Sequence, residues 1–384
     1  MNVLVTGGTG FIGRRLMPQL IERFGAQAVT CLVHSSGKPQ EDEAAASYAG
    51  QGVNIIPGDL THSPVADVPC PRVELVFHLG ANIDTDTPES EHRVNDLGSR
   101  NLLDWLGASL SGCRILYTSS IAVHDRNGPS AGPLTEDSPF TPRTAYGATK
   151  LRGEQIIRDA AAREGFSWTI VRLPTVYGPG QKAGGMFDLL IEGVRTGGLI
   201  SRIDWPGKSS IIFVEDVGRI LIDLSLRAAA ANQIYCISSG EDVTLADIAR
   251  QASAILGRPL APVRIPAVGW SLARGLAWNP IVRSLVPRRA HVTYWRLTLV
   301  LDDGFWFDAR KFLAQNPIPL VKLPEGLRRV LQREEPGAHR ATLANELGER
   351  ADLHSVERAV AQDPGLPRGA IERGDPVRAA DDVP

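Results

Sequence analysis

The sequence predicts a doubly wound α/β domain, a parallel sheet covered by helices on both faces, with a smaller, discontinuous second domain after it. Three observations carry this. Short apolar runs alternate with helix-patterned segments up to Leu173, a glycine-rich turn joins the first run to the first helix, and the alternation loosens after Pro174. The first run, NVLVT at 2–6, breaks into glycines, and LMPQLIERFG then carries a helical pattern that stops at Gly25. Further runs are VTCLV at 29–33, VNIIP at 53–57, ELVFHL at 74–79, RILYTS at 114–119 and SWTIVRL at 167–173. Helical patterns lie in VNDLGSRNLLDWL and from Tyr146 onward. Nearly continuous apolar strands belong to a sheet buried on both faces, which crossover helices supply.

After Pro174, YGPGQKAGG reads as a glycine-rich loop, IIFVEDVGRILIDLSLRAA as one more strand–helix unit, and QIYCIS as a strand. Thr244 and Asp247 open the next helix as a capping box, and Gly257 ends it. Beyond Phe312 there is no aromatic residue, and residues 334–384, rich in Glu, Arg, Ala, Asp and Pro, are expected to be a charged, largely disordered tail.

Of 384 residues 43% are hydrophobic and 22% charged, which is ordinary globular composition. A net charge of −2 removes the whole-chain reason to expect a nucleic acid or an anionic membrane as partner, and leaves local basic patches open. Cys31, Cys70, Cys113 and Cys236 are scattered, with no CxxC and no clustered histidines, so free thiols and no metal site are expected. MNVLVTGGTGFIG has no basic region and only a short apolar run. It is read as neither signal peptide nor membrane anchor, so a cytoplasmic protein without a membrane span is expected.

TGGTGFIG places Gly8, Gly10 and Gly13 in GxGxxG spacing and Gly7, Gly10 and Gly13 in the wider frame. Between a strand and a helix this pattern has a mechanism. The backbone can approach a pyrophosphate closely, and the helix N-terminus offers it N–H groups and a favourable dipole. Gly7, Gly10, Phe11, Ile12 and Gly13 are therefore candidate dinucleotide-binding residues. An acidic residue for the adenine-ribose hydroxyl belongs at the end of the second strand, where the sequence is CLVHSSGK, without a carboxylate. His34, Ser35, Ser36 and Lys38 could donate to a 2′-phosphate instead, favouring NADP over NAD. The same residues also read as a solvated loop.

Residues 1–175 and 211–240 are accordingly expected to form the dinucleotide-binding (Rossmann) domain, and 176–210 with 241–333 the substrate domain.

TAYGATK at 144–150 sets Tyr146 and Lys150 four apart at a helix start, hence on one face. A tyrosine with an ordinary pKa near ~10 is a poor base at neutral pH, and a neighbouring ammonium favours its phenolate. Alone, such a pair also reads as a half-buried aromatic beside a solvated lysine.

The pair has company. TGGTGFIG, GDL at 58–60, HLGA at 78–81, VNDLGSRNLL at 94–103, YTSS at 117–120, YGATK at 146–150, RLPTVYGPG at 172–180 and FVEDV at 213–217 occur in order. In these the sequence resembles the extended short-chain dehydrogenase/reductase family, which includes sugar epimerases and dehydratases. The resemblance implies Tyr146 as catalytic acid/base, Lys150 lowering its pKa and bonding the nicotinamide ribose, and Ser120 holding the substrate oxygen. It further implies that Asp59 and Leu60 frame the adenine, Ala81 lines the cofactor groove, Asn95 braces the central helix, and Pro174 lies against the nicotinamide. Gly80 departs from the family's usual alanine and is read as slack in packing. Family members are often dimers, so a homodimer is compatible with the resemblance.

Within the family, dehydratases carry Asp-Glu where this chain has Ile121 and Ala122, which removes the acid and base of elimination. Nucleotide-sugar enzymes commonly place an arginine where this chain has Ser209. Arg202, Arg283, Arg288 or Arg289 could substitute. The expected activity is NAD(P)-dependent hydride transfer at an alcohol or ketone carbon of a small molecule, a carbonyl reductase or alcohol dehydrogenase. A nucleotide-sugar epimerase and a catalytically silent cofactor sensor are the alternatives; an intact Ser120, Tyr146 and Lys150 speak against the sensor. PAVGWSLARGLAWNPIVRSLVPRRAHVTYW, with Trp270, Trp278 and Trp295, reads either as a lid for a hydrophobic substrate or as helix packing with solvated arginines. Packing is the preferred reading, because aromatics at helical spacing are usually core.

Overall fold

In a computed structural model, residues 1–35, 37–84, 87–124, 132–181, 185–286, 291–301 and 305–333 are described. Ser36, Arg288, Arg289, the side chain of Trp295 and the whole expected tail, 334–384, lie outside them. The chain runs β1 (Val3–Thr6), α1 (Gly13–Phe24), β2 (Val29–Val33), α2 (Pro39–Gly50), β3 (Asn54–Pro57), β4 (Leu75–His78), α3 (Arg93–Leu106), β5 (Arg114–Ser120), α4 (Ala145–Glu164) and β6 (Ser167–Leu173). It continues with β7 (Thr175–Tyr177), α5 (Met186–Thr196), α6 (Leu199–Arg202), β8 (Lys208–Phe213), α7 (Val214–Leu226), β9 (Gln233–Cys236), β10 (Asp242–Thr244) and α8 (Leu245–Leu256). The last elements are α9 (Ala267–Ala277), α10 (Pro280–Leu285), α11 (His291–Leu301), α12 (Arg310–Gln315) and α13 (Leu323–Arg333).

Seven strands pair in the order β3-β2-β1-β4-β5-β6-β9, and every pairing is parallel. Successive side chains of β1 point to opposite faces. Val3 and Val5 join Leu16, Met17 and Leu20 of α1 and Val217, Ile220 and Leu221 of α7 in one core layer. Leu4 joins Leu102 and Leu106 of α3 and Ile157 of α4 in the other. The expected doubly wound architecture is therefore present, with its strand order reversing between β1 and β4. In such sheets a crevice opens at the strands' carboxyl ends there.

A second sheet has the order β10-β8-β7, with β8 parallel to β7 and antiparallel to β10. The run IIFVED thus supplies a strand to this smaller sheet, while α7 crosses back onto α1. β7 follows β6 after the single residue Pro174, so the chain leaves one sheet and enters the other at the site's edge. A separate core of Tyr177, Phe187, Leu190, Phe213, Ile248 and Leu327 holds the second sheet to α5, α8 and α13. The capping box at Thr244 and Asp247 is formed, with Gly257 left-handed at the other end. The four cysteines are free.

Candidate active site

The glycine turn is dictated by close approach. Gly7 has φ +71°, and a Cβ there would lie 2.7 Å from the amide nitrogen of Gly80; at Gly13 a Cβ would lie 2.1 Å from the carbonyl oxygen of Gly7. Both spacings are impossible for a side chain, so α1 and the end of β4 close on the turn only as glycine. Gly10 is different, since its Cβ would meet only the Gly7 oxygen, at 3.3 Å. The helical ladder begins with Arg14 N–H donating to the Gly10 carbonyl at 2.9 Å, so the amides just before it face out from the helix N-terminus. Phe11 and Ile12 are half-buried there. Arg15 donates to the Pro179 carbonyl at 2.8 Å and ties the loop after β7 to this helix.

Gly80 is not slack in packing, as its sequence reading has it. A Cβ would come 2.8 Å from Leu60 Cδ1 and 3.1 Å from Thr6 Oγ1, and its N–H donates to that same hydroxyl at 3.1 Å. An alanine here would displace Leu60, which is itself buried. Asp59 is held among local partners: it accepts from the Thr61 N–H and hydroxyl, both at 2.8 Å, and lies 2.9 Å from His62 and 3.7 Å from His34. Burial works against its charge, yet these partners keep the carboxyl below its ordinary range. His34 and Lys38 are exposed at the end of β2, with Lys38 paired to Glu41 at 3.1 Å. Ala81 is half-buried beside the turn's partner strand, and Pro174 is buried.

α4 starts at Thr144, whose hydroxyl accepts the Gly147 N–H at 3.1 Å. That cap fixes the register of the next turns, so Tyr146, Lys150 and Glu154 follow at i, i+4 and i+8 on one face. Ser120, at the end of β5, accepts the Ala122 N–H at 3.2 Å and acts on the Tyr146 hydroxyl. Burial pushes the Tyr146 phenol above its ordinary 10, and the Ser120 hydroxyl pulls it partly back. The lowering by Lys150 that the family resemblance implies is not among the influences on this phenol. Lys150 is 2% exposed, its Nζ has no hydrogen-bond partner among the described residues, and it sits 4.3 Å from the ring centre of Tyr117. Burial lowers its pKa to about 7, against the pull of the Glu154 charge.

Asn95 is a hub. Its amide donates to the Asn82 carbonyl at 2.9 Å and to Thr149 Oγ1 at 3.0 Å, and its oxygen accepts the Asn82 N–H at 2.9 Å. It thereby pins the loop after β4 to α4. The tyrosine, serine, lysine and asparagine legible in the sequence thus converge at the carboxyl ends of β4 and β5.

Two networks around them escape sequence reading. His78 joins Thr6 Oγ1 (2.7 Å) to Ser99 Oγ (3.0 Å), and Ser99 donates to the Asn95 carbonyl at 2.8 Å. Because that carbonyl only accepts, Ser99 has spent its hydrogen and His78 Nε2 must carry the proton. Burial, and then the Lys150 charge, push His78 down to about 3, so it stays neutral. The second network lies beyond Lys150 on α4. Arg172, fully buried on β6, donates to both carboxylate oxygens of Glu154 at 3.0 and 2.8 Å, and also to the Glu136 carbonyl and His124 Nε2. The only sequence signal was a glutamate four residues after Lys150. Of the arginines offered in place of Ser209, Arg202 bonds the Ala261 carbonyl and Arg283 is exposed on α10. Among the described residues, no group of three or more His, Cys, Asp or Glu could hold a metal ion.

Comparison with known proteins gives these arrangements a context. A model of the NAD dependent epimerase/dehydratase family matches residues 3–238. A UDP-glucose 4-epimerase of Vibrio cholerae is 25% identical, over 82% of this chain and 96% of its own. A 2-alkyl-3-oxoalkanoate reductase of Stenotrophomonas maltophilia is 28% identical, over 86% and 98%. Among solved structures, a dTDP-glucose 4,6-dehydratase of Streptomyces venezuelae with NAD bound superposes with a TM-score of 0.65 at 22% identity, covering 86% of this chain and 96% of that one.

Proposed function

Because the chain belongs to the NAD dependent epimerase/dehydratase family, we propose that it is an NAD(P)-dependent carbonyl reductase or alcohol dehydrogenase in which Tyr146 moves the proton. The observation that carries this reading is the placement, one turn apart on α4 beside Ser120, of Tyr146 and a buried Lys150 whose Nζ has no hydrogen-bond partner among the described residues. The chain's groups fit a dinucleotide: the Gly7–Gly13 turn excludes side chains where a pyrophosphate would approach, and Lys150 Nζ awaits an acceptor such as a ribose hydroxyl. Gly7, Gly10, Phe11, Ile12 and Gly13 would hold the phosphates, Asp59, Leu60 and Ala81 the adenine side, and Tyr146, Lys150 and Pro174 the nicotinamide side. His34 and Lys38 favour NADP. Residues 176–210 and 241–333 would form the substrate domain.

When bound, the dinucleotide supplies the hydride exchange. Ser120, oriented by the Ala122 N–H, donates to the substrate oxygen. Tyr146, held protonated by burial, gives that oxygen its proton, which suits reduction of a carbonyl. Lys150 in its ammonium form stabilises the phenolate left behind, and Asn95 keeps the loop at Asn82 and Thr149 of α4 in place around them. Ile121 and Ala122 follow Ser120 where the family's dehydratases carry the Asp-Glu pair of elimination, which speaks against dehydration.

A nucleotide-sugar epimerase is the second reading, favoured by relatives such as the Vibrio enzyme. Purified protein should consume NADPH over many turnovers with a ketone from a broad panel. Interconversion of UDP-glucose and UDP-galactose without net cofactor change would establish the epimerase instead.

A further inference from the structure

The helix pair α9–α10 is inside out. Val268, Leu272 and Leu276 follow at i, i+4 and i+8 on one face of α9, and Ile281 and Leu285 at i and i+4 on α10. These five aliphatic side chains are 60 to 76% exposed. The inward side holds the aromatic and polar groups instead. Trp270 packs on Trp205 with ring centres 5.7 Å apart, Arg274 donates to the Leu301 carbonyl at 2.8 Å, and Trp278 lies 5.6 Å from the guanidinium of Arg143. A surface helix normally buries its apolar face and turns its charges outward. Here the anchoring is done from the other side, and aliphatic side chains of both helices are presented outward. Such a face marks an interaction surface.

Charge decides its occupant. From Ile248 to Leu301 the sequence carries eight arginines and neither Asp nor Glu, so with a net charge of −2 for the whole chain the remainder carries −2 − 8 = −10. Of these arginines, Arg283 is exposed on α10 itself, and Arg264 is exposed three residues before α9. The acidic neighbours of the segment are Asp247, which pairs with its first arginine, Arg250, at 3.1 Å, and Asp204, bonded through its backbone to Val263. A second copy docking face to face would set arginine against arginine. An anionic bilayer offers the complement to both features, an apolar interior beneath a negatively charged surface.

We propose that α9–α10 docks the protein peripherally on anionic phospholipid bilayers, with Val268, Leu272, Leu276, Ile281 and Leu285 entering the interface. Among the described residues no helix is long and apolar enough to cross a membrane. The proposal does not depend on the reaction catalysed.

The test is co-sedimentation of the full chain with vesicles of phosphatidylcholine alone and of phosphatidylcholine with phosphatidylglycerol, together with its size in solution. Partitioning onto the anionic vesicles should be at least about tenfold stronger and should fall as salt is raised. Leu272→Glu with Ile281→Glu should lower it by a further factor of roughly ten or more at an unchanged melting temperature, since both positions are exposed. If that variant melts lower, Val268→Glu alone is read in its place. Wild-type protein that stays in the supernatant with both vesicles, or binds both equally, overturns the proposal. So does a stable variant that binds like wild type, or an oligomer that the substitutions dissociate without any vesicle binding.

Discussion

Replacing Lys150 by methionine should make the cofactor-free protein more stable while it destroys function. Among the described residues Lys150 Nζ has no hydrogen-bond partner; it is buried, and burial takes its pKa from 10.5 to about 7. A base with a folded pKa below its unfolded one is held protonated more readily by the unfolded chain. Stability therefore rises with pH between about 7 and 10.5, and below about 7 the whole penalty is present. At about 1.36 kcal/mol per pH unit its ceiling is about 5 kcal/mol. The pKa of about 7 already includes the pull of Glu154; the polarisable ring of Tyr117 offsets a further part, and about 2–3 kcal/mol is a reasonable remainder. Methionine matches the lysine stem in length and flexibility without the charge. The variant should melt roughly 3–6 °C above wild type below pH 7, with the gap closing as pH approaches 10. Thermal unfolding of both proteins across that range reads it directly, and a fluorescence titration should show weakened binding of NADPH. A variant that melts lower than wild type at every pH would mean that the ammonium is a compensated structural group, and the argument from its missing partner would fail.

NADPH should bind with a lower dissociation constant than NADH, because CLVHSSGK at the end of β2 holds no carboxylate while His34 and Lys38 are exposed there. Titration showing NADH as the tighter ligand would refute it. Glu154→Gln leaves Arg172 buried without its carboxylate and should cost about 3–5 kcal/mol in denaturant unfolding. Adding Arg172→Met should recover much of that, and a double variant no more stable than the single would show that the pair does not act as a unit.

How much of this was legible beforehand differs from residue to residue. The sheet and its helices were, because VLVT, VTCLV, LVFH and RILYTSS are apolar on both faces and only a doubly covered parallel sheet buries them so. Tyr146 and Lys150 were legible because a helix fixes i and i+4 without help from the rest of the fold. Arg172 and Glu154 were not, since they meet across α4 and β6 and nothing local in either segment names the partner. Gly80 was misjudged because its cost depends on Leu60, brought against it from the loop after β3. The direction of α9–α10 was also hidden. Periodicity reveals that a helix has an apolar face, while the anchoring of Trp270, Arg274 and Trp278 decides that this face looks outward.

The central claim, that Tyr146 transfers the proton in a hydride-transfer reaction, is tested most directly by the turnover number of Tyr146→Phe. The substitution removes one oxygen and leaves the glycine turn, Asn95 and Lys150 untouched. With the ketone found by screening, and NADPH consumption followed by its near-ultraviolet absorbance, the account predicts a turnover lowered by ~10²–10⁴ with the NADPH dissociation constant nearly unchanged. Turnover within a few-fold of wild type would contradict it.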